Sequence, residues 1–434
     1  RGATGVTARP RRQGLKADRL TTIGGVFLRA SGDTRFESDG AIRLPGARIG
    51  GDLSCVGAAL RSGTGVTLHA DGLTTSGSVF LSAQGAARFE SNGEIRLLGA
   101  DIDGVLSCIG AALRSATGVT LRADRLTTTG GVFLRAEGGT PFESDGAIRL
   151  LGADIGGYLD CVGAALRNAG GKALTADGAR VARGFFLRNG AAVTGILDLT
   201  AAEISNLNDN PACWPQGPGE ILLDRCVYGA FTGTGVDART RIAWLDRQDP
   251  ARFGKEFWPQ PWEQCAKVLR EMGHPEDSRA VLIAKEGRQR AARRARLEAR
   301  GRTLTVEALE RWDALLGEVV RYGYRPSRAF LWAARVWAAG AVLFGMAALS
   351  DSIKPNNAFV LRSAEWVRCG YAAGDPIPAS FGNEKDRTGL RAAGETRRGC
   401  YLRQPEALSY PAFNALIYSA DTLLPVVSLE MQEF

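Results

Sequence analysis

Three cysteines, Cys55, Cys108 and Cys161, stand 53 residues apart in nearly the same phrase: DLSCVGAAL, VLSCIGAAL and YLDCVGAAL. Thiols at a fixed pitch could relay electrons or hold a soft metal, because the thiolate is both nucleophile and ligand. Glu37, Glu90 and Glu143 recur at the same interval, with Asp39 and Asp145 in phase and Asn92 between them. Such a line of acids could attract cations. Only two histidines occur, His69 and His274, in different regions, which removes most histidine-based metal sites and general-base schemes. The sequence has no CxxC pair, no GxxxxGK[ST] phosphate loop and no GxSxG elbow. Gly233 and Gly235 do not complete a GxGxxG in a βαβ unit. No catalytic, cofactor-binding or metal-ligating residue is nominated, no cofactor is expected, and the chain reads as a non-enzyme.

The elements that would position these residues come from the period itself. GGVFLRA (24–30), GSVFLSA (77–83) and GGVFLRA (130–136) repeat at the same interval as the cysteines. A long near-exact period means stacked units rather than a closed globule. Within one block the central apolar residues are Leu28, Leu44, Cys55, Leu68 and then Leu81, at steps of 16, 11, 13 and 13. The FESDG or FESNG insert accounts for the long step and reads as a short loop. Period-two alternation broken by Gly or Gly-Ala reads as strand–turn–strand. Strands this short are stable only when each unit stacks on the next, about 4.8 Å apart. The expected fold class is mainly β: a parallel β-solenoid built from a 53-residue duplication, followed by an α-helical hairpin and a transmembrane helix.

If two units make one coil, the three cysteines recur every second coil, roughly 9–10 Å apart. A disulfide needs Cα atoms within about 7 Å, so these read as free interior thiols. Matching acids follow from duplication of one insert and need no ligand to explain them.

LLGADIGGYLDCVGAAL (150–166) resembles the A-[DN]-[LI]-x-x pattern of pentapeptide-repeat proteins, and the units also resemble bactofilin-like polymer-forming proteins. The resemblance implies the solenoid class and no binding residue; unit lengths vary and the insert breaks the five-residue beat. PWEQCAKVLREMGHPEDSRAVLIAKEGRQR, within 261–302, resembles one tetratricopeptide-like helix pair of bacterial solenoid–membrane proteins. One such pair cannot form a peptide groove, and packing against the solenoid end is its expected role.

The remaining expectations run along the chain. Residues 1–204 form the solenoid and 205–245 its end or cap, with ILLDRCVYGAF (221–231) as a last strand pair. Residues 246–328 hold the helical hairpin, stopped between its helices by Gly273, and an Arg-rich juxtamembrane helix. The formal charge of +8 suits an anionic partner, and Arg288, Arg290, Arg293, Arg294, Arg296, Arg300 and Arg302 form the densest basic run. It lacks aromatic interleaving, which argues against nucleic acid and leaves a solvated helix face or a juxtamembrane segment.

Residues 329–349, AFLWAARVWAAGAVLFGMAAL, carry one charge, Arg335, over a length that spans a bilayer. Arg335 would cost roughly 2.5–3.5 kcal/mol at the bilayer centre, less if it snorkels. The positive-inside rule places the solenoid in the cytoplasm, at a bacterial inner membrane. Residues 350–407 then lie outside, where Cys369 and Cys400 could bond. Residues 408–434 are apolar enough to associate with the membrane and resemble the pore region of a two-helix cation channel, without its TVGYG-like filter. In that reading a second transmembrane helix is expected beyond Phe434. The expected partners are the lipid bilayer, a protein on the solenoid face and further copies of the chain.

Overall fold

The computed structural model describes residues 6–7, 14–29, 35–85, 87–350, 352–355, 357–381, 388–409 and 413–424. The chain divides into two compact units, 1–311 and 312–434.

The first unit is a parallel β-solenoid of about eight turns. Among the described residues its larger sheet has 17 strands, most of them two residues long. Val26–Phe27, Leu53–Ser54, Val79–Phe80, Leu106–Ser107, Val132–Phe133 and Tyr158–Asp160 stack in that order. Beside them Thr21–Thr22, Arg48–Ile49, Thr74–Thr75 and Asp101–Ile102 stack in the same way. In most of these strands a buried residue alternates with a more exposed one, the period-two alternation visible in the sequence, while Leu53–Ser54 and Leu106–Ser107 are buried at both positions. The corners need backbone without side chains. A Cβ on Gly50 would lie 2.1 Å from the Ile23 carbonyl oxygen one coil away.

The smaller sheet has nine strands among the described residues and carries two differences from the sequence expectation. The second and third inserts, FESNG (89–93) and FESDG (142–146), are strand from the glutamate onward, not loop. The first, FESDG (36–40), is strand only at Glu37–Ser38 and bends at Asp39–Gly40. Glu90, Ser91 and Asn92 pair with Ala59, Leu60 and Arg61 on one side and with Ala112, Leu113 and Arg114 on the other. Ser91 is fully buried, and its hydroxyl meets that of Thr67 at 2.6 Å, so the insert is held from inside. The excursion falls on the alternate coils, where pairing jumps from Arg61 to Val66 and from Arg114 to Val119. The second difference is register. Leu68 stacks on Ile42 and Ile95, and Leu121 on Ile95 and Ile148, rather than on the positions of Leu44 and Leu97. The offset is two residues, so every side chain still faces inward.

The coils continue beyond the recognisable repeat. Glu203–Asp209 pairs with Val227–Phe231, and Ile221–Leu222 pairs with Ala192–Asp198. The last strand is then covered by helices α1 (Ala238–Leu245), α2 (Pro259–Glu271) and α3 (Pro275–Ala299). An open sheet end leaves carbonyls without donors. Two side chains of α2 supply them: Gln264 donates to the Tyr228 carbonyl at 2.6 Å and Gln260 to that of Cys226 at 3.0 Å.

Pro259 and Pro275 sit in the first turns of α2 and α3, where a missing N–H costs nothing. Between the helices Gly273 takes φ +87°, a conformation that favours glycine. The α3 hydroxyl of Ser278 donates to the Ala266 carbonyl of α2 at 2.6 Å. Helix α3 is one continuous element of 25 residues, so the basic run through Arg296 extends the second helix of the pair. One hydrophobic cluster runs from Val26 in the solenoid to Val281 in α3.

Helix α4 (Thr303–Val319) leads into the second unit. That unit contains α5 (Ser327–Leu349), α6 (Ala358–Arg362), α7 (Ala364–Arg368), α8 (Arg397–Leu402) and α9 (Ala415–Leu423). Among the described residues, α5 is the one helix long and apolar enough to cross a membrane. Only 6% of its most apolar window is buried inside the protein, and Phe330 and Leu349 are 78% and 80% exposed.

Candidate functional site

The cysteine ladder is packing. Pairing places Leu28, Cys55, Leu81, Cys108, Leu134, Cys161 and Leu187 on one inward column, so a leucine separates each thiol from the next. All three thiols are free and fully buried. Burial pushes Cys55 and Cys108 up to about 12 from an ordinary value of 9.0, and pushes Cys161 higher still with a contribution from Asp160. Such thiols stay protonated and are poor nucleophiles and poor ligands.

Their shift has a consequence for alkaline stability. The unfolded chain loses these protons near pH 9, while the folded chain keeps them to about 12. Above pH 9 the unfolded state therefore binds fewer protons, and stability falls as pH rises through that window. Each thiol contributes a slope of about 1.4 kcal/mol per pH unit. Urea midpoints measured at pH 8 and pH 10.5 should converge in a Cys55→Val/Cys108→Val double variant relative to the parent. An unchanged gap would show that the thiols do not carry the dependence.

The line of acids is neutralised by arginines with the same period. Arg88 bonds Glu143 at 3.0 Å, and Arg35 approaches Glu90 at 3.5 Å. From the intervening coils Arg114 and Arg167 reach Asp145 at 3.3 and 3.2 Å, and Arg61 lies 3.7 Å from Glu37. A second lattice pairs Arg43 with Asp18, Arg96 with Asp71 and Arg149 with Asp124. Among the described residues no group of three or more His, Cys, Asp or Glu side chains is arranged to hold a metal ion. His69 is tied to Asp71 at 3.0 Å, and His274 lies 3.9 Å from Asp277. The two glycines of the GTGTG-like run have structural reasons. A Cβ on Gly233 would lie 2.0 Å from the Asp209 carbonyl oxygen, and Gly235 takes φ +68°.

The most concentrated chemistry in the first unit lies at the end of the solenoid, where the sequence singled out no side chain. Asp209 stacks on Leu187, so an acid ends the interior column that carries the cysteines. Arg241 of α1 grips it with two hydrogen bonds of 2.8 and 2.9 Å, and the Trp214 indole donates to it at 2.6 Å. Asp209 and Arg241 side chains are both 0% exposed. The guanidinium carbon lies 3.8 Å from the Phe231 ring centre and 5.3 Å from that of Trp244. A buried pair joined by two hydrogen bonds, with the Arg241 Nε left unbonded among the described residues, fixes one docking geometry for α1 on the last coil. Its closed surroundings make it a structural latch.

The basic run of α3 is partly committed. Arg288 makes two 2.8 Å bonds to Asp246, and Arg296 meets Glu256 at 3.0 Å. An open groove of about 550 Å³ lies beside them, lined by Arg290, Arg293, Arg296, Glu256, Glu286 and Phe257 among others. Its acids and bases largely offset each other.

In the second unit Cys369 and Cys400 form a disulfide, with Cα atoms 5.7 Å apart. The sequence left that pairing open. The bond sits in a small cluster with Val360, Trp366, Tyr401 and Ala407. Arg397 donates to the Trp366 carbonyl at 2.9 Å and stacks on its ring at 4.6 Å. Arg335 of α5 lies 4.9 Å from the Trp332 ring centre. Helix α9 packs on α5: Trp337 donates to the Leu416 carbonyl at 2.9 Å, and Ser419 donates to the Trp337 carbonyl at 2.8 Å. Gly340 makes that approach possible, since a Cβ there would lie 2.4 Å from the Ser419 hydroxyl. The filter-like position after Leu424, residues 425–434, lies outside the described residues.

Compared with protein-family models, curated proteins and solved structures, the chain matches none.

Proposed function

We propose that this chain is a membrane-anchored scaffold that presents a rigid β-solenoid in the cytoplasm, at a bacterial inner membrane. The observation that carries the proposal is how the cysteines divide around the one long apolar helix. The six cysteines before α5 are free and buried, and the two after it are joined. Disulfides persist in oxidising compartments, so a boundary between compartments at α5 accounts for the bond after it. The three ladder thiols before it are kept apart by their leucine spacers and fit either side. The outward apolar side chains of α5 support the anchor, and the basic run before it supports the same orientation.

In this reading the 53-residue unit arose by tandem duplication. The paired charge lattices of the solenoid give a long, regular outer surface for a protein partner or for further copies of the chain. The full chain should pellet with membranes and stay there through high-salt and alkaline washes; recovery in the soluble fraction would sink the anchor.

One observation favours a second reading, a channel-like protein with the solenoid as sensor. The short helix α9 leans on α5 through Trp337, Gly340 and Ser419, as a pore helix leans on a spanning helix. Conductance of the full-length protein in reconstituted bilayers separates the readings: a scaffold passes no current.

A further inference from the structure

The C-terminal end of α5 forms one wall of an open groove of about 450 Å³. Gly345, Ala348 and Leu349 line it from α5, Arg398 and Leu402 from α8, and Phe413 from the segment before α9. Arg398 is the one charged residue lining it among the described residues, and its guanidinium carbon lies 4.8 Å from the Phe413 ring centre. The apolar wall runs on into open surface. Met346 and Leu349 on α5 and Leu402 on α8 are all exposed.

We propose that this groove binds one anionic phospholipid, with its phosphate on Arg398 and the start of an acyl chain along Gly345, Ala348 and Leu349. The inference rests on the reading of α5 as a membrane span. If α5 crosses a bilayer, its last turn lies where hydrocarbon gives way to headgroups. An arginine fork there matches a phosphate in charge and geometry. Apolar walls around a single cation suit an amphiphile better than a free anion, which would leave Leu349 and Leu402 in water. The volume exceeds what a phosphate needs and accommodates a headgroup with the first part of a chain.

The test uses the full-length chain in detergent, exchanged into mixtures of phosphatidylglycerol and phosphatidylcholine, with co-purifying lipid counted by mass spectrometry. The parent should retain phosphatidylglycerol selectively. Arg398→Gln should weaken that retention about tenfold or more, the scale of one lost charge-assisted contact. Gly345→Leu, which fills the groove without changing charge, should weaken it too, and millimolar glycerol phosphate should not displace the lipid. Intact selectivity in both variants, no selectivity in the parent, or displacement by glycerol phosphate would each overturn the site while the protein remains an integral membrane protein. Extraction of the parent by alkaline wash would overturn the site and the membrane reading together.

Discussion

Replacing Asp209 or Arg241 with alanine is expected to destabilise the capped end of the solenoid by about 3–5 kcal/mol, because each change leaves the other charge buried without its partner. The pair is wholly enclosed. Its two mutual bonds, the Trp214 indole contact and the Phe231 ring against the guanidinium replace the water that both charges lose on folding. Removing Asp209 strands a guanidinium among Phe231, Trp244 and Trp214. Removing Arg241 strands a carboxylate at the end of an otherwise apolar column. Restoring volume without charge should behave differently. An Asp209→Leu/Arg241→Met double variant should recover most of the loss, since well-packed apolar replacements of buried pairs are often neutral or better. Trp214 and Trp244 sit at the latch, so their fluorescence during denaturant unfolding of the full chain reports directly. A single alanine variant within about 0.5 kcal/mol of the parent would mean that the charges are solvated or replaceable.

Breaking the Cys369–Cys400 bond is expected to cost the 357–409 region roughly 3–4 kcal/mol, from the loop of 31 residues that it closes. The rest of its core is small. Val360, Trp366, Tyr401 and Ala407 are its other buried members, and they cannot hold the surrounding turns and short helices alone. Cys400→Ser should lose amide protection in this region in hydrogen exchange, while the solenoid coils keep theirs. Arg397, stacked on Trp366 and bonded to its carbonyl, should lose its position with the bond. Unchanged protection in Cys400→Ser would show that the short helices are held by other contacts.

The sequence carried the solenoid because the physics that forms it is periodic. An inward position recurs at every coil and its residue identity at every second one, so Leu28, Cys55 and Leu81 already give the coil length and the spacing of the thiols. The insert was misread for a physical reason. Asp39, Gly40 and their equivalents have turn composition, and the first copy does bend there. In the second and third copies strand pairing on both sides, with the buried Thr67–Ser91 and Thr120–Ser144 contacts, keeps the insert extended. The two-residue register offset is likewise invisible, because both registers bury apolar side chains. The charge lattices were legible in principle. Arg61, Arg114 and Arg167 share the 53-residue period, and matching them to the acids one coil away adds their neutralisation to the duplication that already explains the line of acids.

The latch was beyond reach. Asp209 falls after the repeat fades, and its partner is 32 residues further on in a helix of ordinary composition. The disulfide stood between two cysteines whose approach depends on turns that no local pattern specifies. The apolar length of α5 was plain in the sequence, and its outward-facing side chains are what the structure adds.

The most direct measurement is alkaline extraction of membranes from cells making the full chain, beside a Val336→Asp/Leu343→Asp variant. Both positions are exposed on α5, at 54% and 59%, so the substitutions leave the protein interior intact. Each aspartate adds about 2.5–3.5 kcal/mol against insertion near the helix centre. The parent should remain in the pellet and the variant should move to the supernatant with its solenoid folded. Release of the parent by the same wash, or an unchanged pellet for the variant, would contradict anchoring through α5.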